Sequence, residues 1–349
     1  MVAESNEKFE LLLTLEGAAL MQLTNERVLV CGAGGFIGGH LVEYLLKQGI
    51  QVVRAVDVKP VEQWYQTSSN VENLSLDLSH KDSCYAATGG MQVVFQLAAD
   101  MGGIGFIETN KALCMLSVLT NTHMLIAARD CAVERFFYSS SACVYNADKQ
   151  RENCATPLRE EDAYPALPED GYGWEKLFSE RMCRHFEEDF RLQTRVARYH
   201  NIYGPLGTYE GGREKAPAAI CRKVIEAQMS GQGEIEIWGD GNQTRSFTFI
   251  DDCLKGTLAI LESDIREPVN LGSNELVTIN QLVDMVEDIA DVRLHRRYKL
   301  DAPKGVNGRN SDNSRIKSLL GWEPSTSLRD GLKKTYAWIE SQMLARTAA

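Results

Sequence analysis

Arg27-Val28-Leu29-Val30-Cys31-Gly32-Ala33-Gly34-Gly35-Phe36-Ile37-Gly38 decides the fold. Its apolar run, Val28 to Cys31, ends in glycines, which suits a strand buried on both faces. Gly32, Gly35 and Gly38 then spell G-x-x-G-x-x-G. Helix-period residues follow from Phe36 to Lys47, and Gly49 is placed to close that helix. A strand, a glycine turn and a helix leave free backbone N–H groups and a positive helix end at the turn, where a diphosphate fits. As a bare pattern this is weak, because packing alone accounts for many glycine turns. A second strand, Gln51 to Val56, ends at Asp57, 19 residues after Gly38. A carboxylate there takes both hydroxyls of an adenosine ribose and repels a 2′-phosphate, so NAD is expected over NADP. Phe36 and Ile37 complete the cofactor turn. Arg54 and Lys59 are the contrary signs. Asp77, at the end of a third strand read from Asn73 to Leu78, is an adenine-edge candidate and nearly as well a turn aspartate.

Outward from that stretch the alternation continues. Val93 to Ala99 is a fourth strand, residues 109 to 130 a long helix, and Arg135 to Ser139 a fifth strand running into Ser140 and Ser141. A helix over 172–189 and a strand from Arg195 to Tyr199 follow. The fold class expected is α/β: a Rossmann-type doubly wound parallel sheet. Past residue 204 the rhythm breaks, although helices at 280–291 and 328–345 are clear. The expected division is an N-terminal extension (1–25), a dinucleotide-binding domain (26–203 plus about 244–273) and a smaller C-terminal substrate-binding domain (about 204–243 plus 274–349).

At 349 residues the chain can bury a sizeable core. Thirty-seven basic against 48 acidic residues give a net charge of −11, which argues against a general nucleic-acid partner. No stretch is read as reaching the roughly 20 apolar residues of a membrane span. The acidic N-terminus is read as no signal peptide, and its Leu11–Leu15 run as a docking strand or helix. Nine cysteines are scattered without a CxxC, and six histidines do not join them, so no metal site is expected. They read as reduced thiols of a cytoplasmic protein.

Tyr172-Gly173-Trp174-Glu175-Lys176 is Y-x-x-x-K, which puts both end residues on one helical face. A phenol that must take a proton near neutrality has to fall about 3 units from its pKa of about 10, a cost of about 4 kcal/mol. A nearby ammonium and a positive nicotinamide push that way. Ser141, ending the fifth strand, is placed to donate a hydrogen bond to the reacting oxygen. Alone, the spacing is frequent by chance and marks a surface helix face.

With the glycine turn, Asp57, Gln96-Leu97-Ala98-Ala99, Ser139-Ser140-Ser141, Tyr172 and Lys176, Arg198 to Pro205, and Phe249-Ile250-Asp251-Asp252, the chain resembles the extended short-chain dehydrogenase/reductase family. Longer blocks at Ala98–Ile107, Ser140–Tyr145, Gly211–Ala219, Trp238–Phe247 and Gly308–Asn313 are similar to its GDP-mannose 3,5-epimerase branch. That resemblance implies tightly bound NAD, GDP-mannose as substrate, GDP-L-galactose as product, a place in ascorbate synthesis, and a homodimer. It also implies a route. Tyr172, with Lys176 and Ser141, oxidises the sugar hydroxyl at carbon 4; the ketone acidifies carbons 3 and 5; Cys143 and Lys215 exchange protons there on opposite faces.

The bland readings are a buried structural thiol for Cys143 and a solvated loop charge for Lys215. Arg245 and Arg309 are expected to grip the diphosphate, with Lys223 assisting. Asn201, Glu214 and Gln243 are expected to bond the sugar and nucleotide, and Gly102 and Gly103 to admit the hexose. Two alternatives stay open: another nucleotide-sugar 4-epimerase or 4,6-dehydratase, and a non-catalytic NAD-binding sensor.

Overall fold

The computed structural model describes residues 23, 25–152, 156–303 and 305–347. The expected N-terminal extension therefore lies almost wholly outside the described residues, its Leu11–Leu15 run included.

Six strands follow in chain order: β1 (Arg27–Cys31), β2 (Val52–Asp57), β3 (Glu72–Ser75), β4 (Val93–Gln96), β5 (Arg135–Ser141) and β6 (Gln193–Tyr199). A seventh, Val269–Leu271, completes one sheet in the order seventh-β6-β5-β4-β1-β2-β3. Every pairing is parallel. The order reverses between β1 and β4, and that reversal opens a crevice at the carboxyl ends of the strands.

The helices are α1 (Phe36–Lys47), α2 (Lys81–Thr88), α3 (Ile104–Thr109), α4 (Lys111–Asp130), α5 (Tyr172–Phe190), α6 (Ala216–Ser230), α7 (Ile250–Glu262), α8 (Ile279–Ala290), α9 (Ser314–Leu320) and α10 (Leu328–Thr347). Successive residues of β1 face opposite layers. Val28 and Val30 pack with Leu41 and Leu45 of α1. Leu29 and Cys31 pack with Met124 and Leu125 of α4. Each such fully buried aliphatic side chain contributes roughly 1.5–3 kcal/mol, so burial on both faces outweighs the absence of any polar–apolar alternation.

Two local expectations are corrected. β3 stops at Ser75, two residues short of Asp77. The Asp77 carboxylate accepts the Ser79 N–H at 2.9 Å, a side-chain turn that replaces the ladder. The helix expected over 109–130 is α4, and the short α3 precedes it across Asn110, whose amide donates to the Phe106 carbonyl at 2.9 Å. The second correction concerns α4, which by length and composition alone is apolar enough to cross a membrane. Its inward side carries Cys114, Ser117, Asn121, Met124 and Leu125.

Past β6 the chain forms small sheets. Glu234–Trp238 pairs with His295–Lys299, and Ile202–Tyr203 with Thr248–Phe249. Thr244–Ser246 lies between Leu276–Thr278 and Gly308–Arg309. Residues 244–246, assigned from sequence to the dinucleotide-binding part, thus pair in a small sheet and not in the central one. That sheet sets Arg245 directly beside Arg309.

Candidate active site

At the cofactor end the backbone makes the shape. Gly32 has φ +81°, and a Cβ there would lie 2.9 Å from the Ala98 nitrogen. A Cβ on Gly38 would lie 2.1 Å from the Gly32 carbonyl oxygen. Gly35 begins α1 without a side-chain cap, so no side chain takes up the first-turn N–H groups. The Phe36 ring packs on the Gly204–Gly207 turn, and half-buried Ile37 follows it. Asp57 ends β2, buried, and accepts the Lys59 N–H at 3.0 Å. Of the two cations weighed against NAD, Arg54 is engaged away from the glycine turn and Lys59 at it. Arg54 bonds Glu72 at 2.7 Å and the Ala87 carbonyl at 2.7 Å, while the Lys59 ammonium donates to the Gly34 carbonyl at 3.1 Å. Turn, bare helix start and carboxylate together fit a dinucleotide whose ribose carries no 2′-phosphate. Asp77 is exposed, past the end of β3, and its carboxylate accepts the Ser79 N–H.

The chemical end is a cavity of about 440 Å³ that gathers Ser141, Cys143, Tyr172, Lys215, Arg245 and Arg309. Gly102, Gly103, Asn201, Glu214, Lys223 and Gln243 border it too, so every substrate-side residue named from sequence reaches one wall. Ser141 ends β5, and its hydroxyl oxygen accepts the Cys143 N–H at 3.2 Å. Tyr172 opens α5 close by, because Gly173 leaves no room for a Cβ, which would sit 2.3 Å from the Cys143 carbonyl oxygen.

Burial pushes the Tyr172 phenol well above its ordinary range, with Cys143 and Glu175 acting the same way and a hydrogen bond with Ser141 opposing. The help expected from Lys176 is not a direct bond. Its buried ammonium donates to the Ser139 carbonyl at 3.1 Å and stands 5.5 Å from the Tyr172 ring centre. Burial lowers its pKa, and Glu175 opposes.

Burial pushes the Cys143 thiol up to about 11; Glu169 adds to this and Arg309 opposes. Lys215 is the N-cap of α6, and burial lowers its pKa. Gly102 and Gly103 line the cavity and also make room for this loop: a Cβ on Gly103 would lie 2.3 Å from the Glu214 oxygen, and one on Gly102 3.1 Å from the Arg213 Cα. Gly103 N–H donates to the Arg213 carbonyl at 2.9 Å, and the Arg213 guanidinium lies 3.8 Å over the Phe106 ring. The segment carrying Lys215 is thereby strapped to α3.

Arg309 lines the same cavity. Its Nε donates to Gln150 at 2.7 Å, one terminal nitrogen pairs with Glu169, and the other lies 3.6 Å from the Cys143 sulfur. Its fork thus faces the thiol as well as the cavity that a substrate diphosphate would enter. Arg245 donates to the Thr244 and Val306 carbonyls, at 2.7 and 2.5 Å. Lys223 donates to the Glu236 carbonyl at 2.9 Å, and Glu214 accepts the Gly212 N–H at 2.7 Å. Asn201 donates to the Ser246 carbonyl at 3.0 Å. Gln243 donates to the Trp238 carbonyl at 2.9 Å and keeps a buried amide oxygen without a partner, an acceptor suited to a ligand donor.

Sequence reasoning missed Glu169 and Glu175. Glu175 is buried and accepts hydrogen bonds from Asn121, Tyr138 and Ser179 behind Lys176. Its signal was an acid three residues after Tyr172, on the same inward face. Glu169 sits in the Pro-rich loop before α5, and no periodicity marks it.

The comparisons agree with this geometry. The family model for the NAD dependent epimerase/dehydratase family matches residues 28–272. GDP-mannose 3,5-epimerase 1 of Oryza sativa subsp. japonica is 48% identical over 318 residues, 91% of this chain and 82% of the relative. GDP-mannose 3,5-epimerase of Arabidopsis thaliana is 47% identical over 320 residues, 91% of this chain and 83% of the relative. Among solved structures, UDP-glucose 4-epimerase of Thermotoga maritima with UDP-glucose superposes with a TM-score of 0.81 at 25% identity, over 91% of this chain and 99% of that one. UDP-glucuronic acid 4-epimerase of Bacillus cereus, solved with UDP-glucuronic acid and NAD, gives 0.77 at 27% identity, over 90% and 99%. On sequence, fold and residues at the crevice, the chain belongs to the NAD dependent epimerase/dehydratase family and, within it, to the GDP-mannose 3,5-epimerases.

Proposed function

We propose that this chain inverts carbons 3 and 5 of GDP-mannose to give GDP-L-galactose through a transient 4-keto sugar, with no net redox change. One observation carries the reading: a thiol, Cys143, and an amine, Lys215, share the cavity of the Ser141–Tyr172 pair. NAD, when bound at the Gly32–Gly38 turn and Asp57, supplies the hydride acceptor and donor for carbon 4 and a positive nicotinamide near the phenol. Tyr172 takes the hydroxyl proton of carbon 4, with the Ser141 hydroxyl in the same cavity. Lys176 anchors the helix start through Ser139. Once carbon 4 is a ketone, Cys143 and Lys215 remove and return protons at the flanking carbons. A 4-epimerase needs neither group, and a sensor needs no buried thiol beside an amine. The test is incubation with GDP-mannose in heavy water, followed by proton NMR. Deuterium at carbons 3 and 5 without added reductant is expected; label at neither carbon overturns the reading.

We also infer a homodimer. Leu113, Met115, Leu116 and Leu119 of α4, with Trp174 and Phe178 of α5, are 38–55% exposed large apolar side chains on adjoining helices. Apolar surface of this kind marks an interface. Met124 of the same helix turns into the core instead. Light scattering at twice the chain mass, falling to one chain in Leu116→Glu/Phe178→Glu, is the expected result. A cytoplasmic location and a role in ascorbate synthesis belong to this proposal, and the 26–203 plus 244–273 division is adjusted so that the small sheet holding residues 244–246 goes with the substrate side.

A further inference from the structure

One terminal nitrogen of Arg309 lies 3.6 Å from the Cys143 sulfur, and the charge of the Glu169 carboxylate acts on the thiol. That carboxylate also pairs with the other terminal nitrogen of Arg309. The triangle is held from outside. The Glu169 N–H donates to the Cys143 carbonyl at 3.0 Å, and Gln150 fixes the Arg309 Nε at 2.7 Å. A guanidinium alone beside sulfur favours thiolate, whereas a carboxylate charge close by favours thiol. Other groups that act on Cys143 are Lys215 at the start of α6, Arg245 of the small sheet, and Tyr172 and Lys176 of α5, with the Cys114 thiol of α4 packed alongside. Three of these are cations that draw the proton off. Burial opposes them first, and the Glu169 carboxylate charge second.

We propose that Glu169 is a positioning residue that seats the Cys143 thiol against Arg309 and keeps it protonated in the resting site, so that it sets the pH at which the thiol ionises. This deepens the reading of Cys143 as a proton carrier and rests on it. Nothing in the sequence motifs marks Glu169 for the part; only its contacts do.

The test is the pH profile of iodoacetamide alkylation at Cys143 in the NAD-loaded protein, with Cys143→Ala subtracting the other thiols. The wild-type midpoint is expected above the ordinary thiol value of about 8.5. Glu169→Gln keeps an acceptor for Arg309 and removes the charge, so the midpoint should move roughly 1–3 pH units toward acid, and the pH limb of deuterium uptake should move with it. Glu169→Asp, which retains the charge, should restore much of the shift. A purely structural role would change melting temperature or alkylation amplitude and leave the midpoint alone. A wild-type midpoint at or below about 8.5 overturns the proposal, as does coincidence of the Glu169→Gln and wild-type profiles. If Glu169→Gln fails to retain NAD, the wild-type and Glu169→Asp profiles still decide. Alkylation needs no turnover, so a failed epimerase assay and a failed profile are separate results.

Discussion

The cofactor end and the chemical end meet at one crevice but are made of different material. The cofactor end is backbone from one continuous stretch, Arg27 to Asp57, and it works because side chains are missing at Gly32, Gly35 and Gly38. The chemical end is side chains from β5, α5, α6 and the small sheet, spread from Ser141 to Arg309. A surface built from backbone tolerates little added volume. One built from side chains tolerates volume better and depends on which charges face one another.

The largest effect should come from breaking the first kind. Gly38→Val would drive a Cβ to 2.1 Å from the Gly32 oxygen, destabilising by about 3 kcal/mol and abolishing NAD retention. Thermal melting and the nucleotide released on denaturation check it; full retention would mean that the turn is not the cofactor seat. Next, Cys143→Ala should lower inversion by roughly 10²–10⁴-fold while NAD retention and oxidation at carbon 4 persist. If NAD is lost, the thiol belongs to the framework and the contrast between the ends fails.

A pH scan of stability sharpens the comparison beneath the chemical end. His200 is buried there, bonded to Asn270 at 2.8 Å, and burial lowers its pKa to about 3. The unfolded chain takes up this proton below about 6.5 and the folded chain does not, so stability is full above that pH and is lost as pH falls toward 3. From pH 7 to 5 the loss should be about 2 kcal/mol in urea unfolding, with a shallower slope in His200→Asn. An equal slope in both would remove His200 as the cause. The smallest effect is expected at Asp77→Asn, under about 0.5 kcal/mol and without change in NAD retention, because that side chain serves its own exposed turn.

The same contrast explains what could be read in advance. The parallel sheet, the glycine turn and Asp57 follow from short-range pattern, since strand, turn and helix chemistry act over a few residues. β3 was misjudged where Asp77 turns its side chain onto the backbone, a competition that hydrophobic periodicity does not register. Resemblance marked Cys143, Lys215 and Arg309, but not that Arg309 spends its fork on Gln150, Glu169 and the sulfur. Lys176 was found and its bonding partner was not.

By itself the sequence determined a doubly wound sheet with a dinucleotide turn and the Tyr172–Lys176 pair, because residue type and local spacing carry both, while Cys143 and Lys215 came from resemblance. Only the tertiary structure decided which charges stand beside which. Glu169 and Cys143 are joined across 26 residues, and Arg309 reaches both from a strand more than a hundred residues further on. Proton affinities depend on distance and burial, and those exist only once the sheet, the α3 strap and the small sheet have closed on one cavity.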